Sequence, residues 1–243
     1  LPIVEQGLVP HVIDIRYKTK RKFMNASAGL GIINIVEDED GVLRRLPILS
    51  EVSGMLAPHF YFRLLCEHLG YKIDKIEILS KNKIILHDFP VDNITKDIAI
   101  PLDGKGNMLI NYISYNKIDK YILSGKFHSI SAWDIYNSKV PFDFENKTVI
   151  LGDTSVPAKD HSITPLDARM FNPIIYAIAM SNILNNEFIT PIPNYLIIFI
   201  FIVIFLLLLL FSWKLELLRC GLCSLSVLFF YFLINSILFV YYG

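Results

Sequence analysis

LGIINIVEDEDGVLRRLPIL, residues 30–49, decides the fold. Its first seven residues, 30–36, are apolar and rich in β-branched side chains, which is the composition of a strand. Glu37-Asp38-Glu39-Asp40-Gly41 follows as a turn cluster ending in Asp-Gly, a hairpin signal. Val42 to Leu49 is the expected partner strand. Working outward, Pro58 opens the helical run PHFYFRLLCEHL, and Gly70 closes it, the usual order of these two punctuating residues. Tyr61, Leu64, Leu65 and Leu69 share one face of that helix. Lys75 to Leu79 and Lys83 to His87 alternate and read as a second hairpin across Ser80 to Asn82. Ile98 to Leu102, Asn107 to Ile113 and Thr148 to Leu151 are further short strands. Asn172 is placed to cap a helix from Pro173 to about Asn185. Residues 1–190 therefore read as one strand-rich α+β domain.

The 243 residues are 53% hydrophobic and 19% charged, with 23 Lys/Arg against 23 Asp/Glu. Such a composition excludes a disordered chain. Zero net charge gives no support to a nucleic-acid partner, and three cysteines are too few for a disulfide scaffold. The apolar excess is local. From Tyr195 onward the only charged residues are Lys214, Glu216 and Arg219, so residues 1–194 hold 21 Lys/Arg and 22 Asp/Glu, a net charge of −1. YLIIFIFIVIFLLLLLFSW, residues 195–213, reads as a transmembrane helix of about 28 Å. Gly221 to Tyr242 reads as a second, with Asn235 as a candidate helix–helix contact. Lys214 and Arg219 assign the connector, residues 214–220, to the cytoplasm. The expected organisation is an extracytoplasmic domain over 1–190, a stiff linker over 191–194, and a multi-pass placement in the inner (cell) membrane. No targeting segment precedes Leu1, so one is expected upstream. Cys220 and Cys223 have a thiol-pair spacing but lack a thioredoxin-like context, and read as small apolar residues.

The motifs that carry chemistry are few. Aligning Gly41 with the glycine of an EF-hand loop puts Val36 and Pro47 where the first and last ligands belong, so that reading fails. Asp160 beside His161 has the residue types of a general base, but no nucleophile motif or metal spacing accompanies them. Gly104-Lys105-Gly106 and Gly152 match neither a P-loop nor a dinucleotide fingerprint. No catalytic residue, metal or cofactor is expected. Arg44 and Arg45, adjacent in an alternating strand, are expected on opposite faces, one paired with a carboxylate and one in water.

Several segments fall in a recognisable order. Gly31-x-x-Asn34 precedes Asp40-Gly41-Val42-x-Arg44-Arg45-x-Pro47. Ile100-Pro101-Leu102-Asp103 and Ile110-Asn111-Tyr112 come next, then Val149-Ile150-Leu151-Gly152-Asp153-Thr154, Asp160 and Thr164-Pro165-Leu166, with a helix after them. Over roughly residues 5–190 this series resembles the second type of CHASE domain (cyclases/histidine kinases associated sensory extracellular). The resemblance implies an extracytoplasmic bacterial sensor module, joined through membrane spans to an adenylate or guanylate cyclase, a histidine kinase or a similar output. It also implies a homodimer. The chain departs from the family at Asn172 and Tyr176, where glycine and histidine are usual.

The function expected is therefore a non-enzymatic sensory input module answering a small-molecule or protein signal. Its ligand site is expected among the loops that hold Asp40, Arg44, Asp103, Asn111, Asp153 and Asp160. The rival readings are a membrane assembly protein that only binds a partner, and a membrane-anchored hydrolase working at Asp160 and His161.

Overall fold

The computed structural model describes residues 9–10, 19–91, 94–112, 130–138, 143–145, 147–153, 155, 160–190 and 194–214, with isolated positions between 225 and 236. The chain divides into two compact units, Leu1–Ile189 and Thr190–Gly243.

The first unit is mixed α+β. A short helix α1 (Arg21–Ala26) comes first, with no buried residue. Strand β1 (Arg45–Pro47) follows, then the antiparallel pair β2 (Leu49–Val52) and β3 (Met55–Pro58). Helix α2 (Phe60–Leu69) ends on Gly70, whose left-handed φ of 62° lets its N–H turn back to the last carbonyls. After a 3-10 turn (Ile73–Lys75), the antiparallel sheet β4 (Ile76–Ser80), β5 (Lys83–Val91) and β6 (Ile94–Pro101) is built in sequence order. Strand β7 (Asn107–Leu109) returns to pair with β1. Helix α3 (Ala132–Tyr136), the two-residue strands β8 (His161–Ser162) and β9 (Met170–Phe171), and helix α4 (Asn172–Asn185) complete the unit.

The core gathers between α2, α4 and the inner faces of the strands. Tyr61, Phe62 and Leu65 of α2, Ile175, Ala179 and Ile183 of α4, and Ile84, Leu86, Ile98 and Ile100 of the sheet are all essentially inaccessible. The α2 face differs slightly from the expected one, since Phe62 and Cys66 are buried while Leu64 and Leu69 are only partly so. Helix α4 is the expected helix, but Asn172 does not cap it. Its side chain accepts the Ser162 hydroxyl (2.9 Å) and donates to Asp160 (2.9 Å), and Phe171 occupies the cap position. In the last turn of α4, buried Asn182 accepts the Asn111 N–H (2.9 Å) and donates to the Asn111 carbonyl (3.1 Å).

The hairpin expected over 30–49 does not form as a two-stranded ladder. The turn closes, with the Gly41 N–H on the Asp38 carbonyl (2.8 Å) and the Asp38 N–H on the Val42 carbonyl (3.1 Å), and then the arms part. Ile32 makes a single parallel bridge to His59, β1 takes β7 as its partner, and β2 takes β3. Ile33 and Val36 stay largely exposed, so burial does not hold the first arm against the second. The Thr148 to Leu151 segment forms no strand among the described residues, and Leu151 is 84% exposed. The short strand expected at 98–102 is the end of the longer β6.

The second unit overturns the expected membrane topology. Among the described residues no helix is long and apolar enough to cross a membrane. Helix α5 spans Asn194–Lys214. The two expected transmembrane helices, 195–213 and 221–242, and the multi-pass inner-membrane placement built on them are corrected accordingly. Linker positions 191–193, connector 215–220, Cys220, Cys223 and Asn235 lie outside the described residues.

Candidate ligand site

The acidic turn and the two arginines meet the β6–β7 connection. Gly41 holds a left-handed φ of 77°, which glycine adopts without strain and which brings the chain back on itself. Asp40 then accepts the Val42 N–H (3.1 Å) and faces Arg44 in a two-pronged pair, 2.9 and 2.7 Å. A fork-to-fork pair of this kind fixes direction as well as charge. Asp38 sits between the arginines, 3.0 Å from Arg44 Nη1 and 2.9 Å from Arg45 Nε. Arg45 reaches on to Asp103 at 2.7 Å, tying the hairpin turn to the loop before β7. The Asp103 carboxylate, only 4% exposed, also accepts the N–H groups of Lys105 (2.8 Å) and Asn107 (3.0 Å).

Both arginines are therefore paired, against the expectation of one paired and one in water. The alternation argument does not reach Arg44, because β1 begins only at Arg45. The electrostatics follow from the pairing. The Arg44 hydrogen bond, helped by the Val42 N–H, lowers the Asp40 pKa to about 2. Burial opposes the charges of Arg45 and Asp103, yet their mutual contact and the N–H donors on Asp103 outweigh it. Arg45 is raised and Asp103 lowered. Around this network lies an open cleft of about 430 Å³, lined among others by Val36, Asp38, Asp40, Arg44, Arg45 and Lys105.

The CHASE2 domain model matches residues 5–211. The chain belongs to this family. No curated protein and no solved structure matches it. The match runs past residue 190, where the resemblance ended, into helix α5. A CHASE2 domain is a sensor domain without catalysis of its own. The hydrolase reading falls with that. Its aspartate is also engaged elsewhere, since Asp160 receives the Asn172 amide and, on its carbonyl, the Asn172 N–H. Among the described residues no group of three or more His, Cys, Asp or Glu is arranged to hold a metal ion.

Of the six residues expected at the ligand site, this CHASE2 domain brings Asp40, Arg44 and Asp103 into one network. The other three bond elsewhere. Asn111 uses its backbone to hold Asn182, Asp160 holds Asn172, and Asp153 accepts the Ser155 N–H (2.9 Å) in an exposed turn, where the Ser155 hydroxyl and then that N–H lower its pKa. Sequence reasoning missed Asp38, Arg45 and Lys105 as site residues. The charges of two of them, Asp38 and Arg45, stand in the same stretch as Asp40 and Arg44, but the pattern does not say which carboxylate meets which arginine. Nothing in the local pattern placed Lys105 beside them.

The departure at Tyr176 also has a place in the structure. Its ring packs edge-on against His59, with centroids 5.4 Å apart. A histidine thus lies against this position although the family's own is absent.

Proposed function

We propose that this chain is the sensory input part of a signalling protein whose output is an adenylate or guanylate cyclase or a histidine kinase, and that it works as a homodimer. CHASE2 domains are linked to these signalling systems, which supports the output class. The cleft at the acidic turn is the ligand site of this reading. The observation that carries it is the convergence of Arg44, Arg45 and Lys105 with the acidic residues 37–40 around an open space of about 430 Å³, with Asp103 holding Arg45 from behind. A small polar molecule bearing an acidic group would compete with Asp38 and Asp40 for the arginine forks. The turn and the β7 loop would then part or draw together. A ligand moves such an equilibrium only by binding one arrangement better than the other.

Thermal melting of the full chain against a library of small polar metabolites tests this. At least one acidic compound is expected to raise the melting temperature, and the R44Q variant is expected to lose that rise. A library without effect, or a rise that R44Q leaves intact, defeats the cleft and leaves a protein signal as the stimulus. Reading the coding sequence beyond Gly243 tests the output: a cyclase or kinase domain is expected there.

A further inference from the structure

The outer face of the β4–β5–β6 sheet holds a histidine between two carboxylates. Strand β5 carries an irregularity after Leu86, where the pairing with β6 resumes only at Phe89. Asp88 takes a left-handed φ of 50° there. Bulges of this kind re-aim side chains, and this one leaves His87 lying across the sheet. Its Nδ1 is 2.9 Å from an Asp97 oxygen on β6, and its Nε2 is 2.8 Å from a Glu77 oxygen on β4.

A neutral imidazole has one N–H and one bare nitrogen, whereas the imidazolium has two N–H groups. An ionised carboxylate only accepts. In the neutral ring, one of the two short contacts would set a nitrogen lone pair against a carboxylate oxygen. Both contacts are hydrogen bonds only when the ring carries two protons. We propose that this sheet contains a proton-operated clamp, in which doubly protonated His87 ties Glu77 of β4 to Asp97 of β6 across the strand between them. When the ring releases a proton to solvent, one of the two ties is lost.

The surroundings favour the charged ring. Asp88, next in the chain, pairs with Lys75 of the 3-10 turn at 2.9 Å, and its N–H donates to Asp97 at 3.0 Å. The Tyr71 hydroxyl lies between the carbonyls of Lys75 and His87, 3.1 and 3.0 Å away, and anchors this corner from the core side. Asp74 of the 3-10 turn adds a further negative charge near Tyr71. Lys96, the neighbouring cation on β6, is opposite Phe89 in the register. Deprotonation of His87 takes the positive charge away from Glu77 and Asp97, while Asp88 keeps its pair with Lys75. The hydrogen bonds that the ring donates to Glu77 and Asp97 accordingly raise the His87 pKa above its ordinary value.

The sign of the effect follows. The clamp is fully present below the unfolded histidine pKa of about 6.5 and is lost as pH rises through the higher folded value. Acid therefore tightens this sheet and alkali loosens it. The clamp is independent of the ligand cleft and of the proposed output, since it concerns only these three strands.

NMR titration of the His87 ring in the full chain, together with melting across pH 5 to 9, tests it. The ring is expected to titrate above the ordinary histidine range, and E77Q and D97N are each expected to lower that value. The melting temperature of wild type relative to that of H87Q should fall across the same interval. A ring that titrates at or below the ordinary value, or one that neither E77Q nor D97N moves, overturns the clamp. Wild-type and H87Q melting curves that run parallel over the whole range overturn it as well.

Discussion

Two histidines in this CHASE2 domain stand in opposite surroundings. His59 lies at the start of α2, completely buried, with the rings of Tyr61 and Tyr176 at centroid distances of 5.0 and 5.4 Å. Among the described residues neither of its ring nitrogens has a hydrogen-bond partner of good geometry. Burial lowers its pKa to about 4, and the Asn34 backbone beside it only partly opposes this. His87 is 40% exposed and has a carboxylate on each nitrogen, and its pKa moves the other way. The comparison teaches that one residue type gives one domain two opposite responses to acid. The interior is disfavoured by protons, and the outer sheet binds them.

The harshest way to break this contrast is to open the interior. Tyr61→Ala removes a fully buried ring beside His59, and a loss of about 3–5 kcal/mol is expected from a cavity of that kind. Urea denaturation measures it, and the His59 titration in the surviving fold should move back toward the ordinary range. A gentler change removes only the proton site. Because the folded pKa of His59 is depressed, its contribution is intact above the unfolded value near 6.5 and is lost as pH falls toward 4. The gap of about 2.5 pH units corresponds to roughly 3 kcal/mol. His59→Phe should therefore flatten the acid limb of the stability curve between pH 6.5 and 4.

Smaller again is the effect at the cleft, where burial is tolerated because the charges are paired. Arg45→Met leaves nearly buried Asp103 with its N–H donors but no cation, and about 1–2 kcal/mol of stability should disappear at pH 7. Asp103 has a depressed pKa, so its contribution is present above the unfolded carboxylate value and lost as pH falls through the folded one. The Arg45→Met penalty should shrink over that acid range. The least effect is at His87, where solvent screens an exposed pair. There the difference between wild type and H87Q should reverse its pH trend relative to His59.

Much of the fold could be read from the chain because it depends on local order. Gly70 marks the end of α2, and the alternation of residues 75–87 gives β4 and β5. What escaped was the choice of partner. Nothing within residues 30–49 says that Arg45 will pair with Leu109, because a strand edge is chosen by what the rest of the chain brings to it. The Thr148 to Leu151 run has strand composition, yet exposed Leu151 shows that composition without a covering surface is not a strand. The 195–213 segment was read from its length and its uncharged apolar run, and that reading produced the membrane topology corrected above. At the cleft, the acidic turn and the arginines were visible, but a pattern of charges does not say which carboxylate is shared. That depended on Arg45 reaching Asp103, 58 residues along the chain.

Asn182 has a consequence for how the domain assembles. A side-chain amide accepts at one end and donates at the other, and here both ends meet the same backbone residue, Asn111. Such a contact has a handedness of fit. Were α4 displaced by one turn or inverted, an apolar neighbour could still be found for Ile178 or Ile183, but the amide and the Asn111 peptide groups would be dry and unmatched. Greasy contacts tolerate many near-misses, and a two-ended polar key tolerates few. A docking that separated the Asn182 amide from Asn111 would lose both of these hydrogen bonds at once, which no apolar contact of the helix would do.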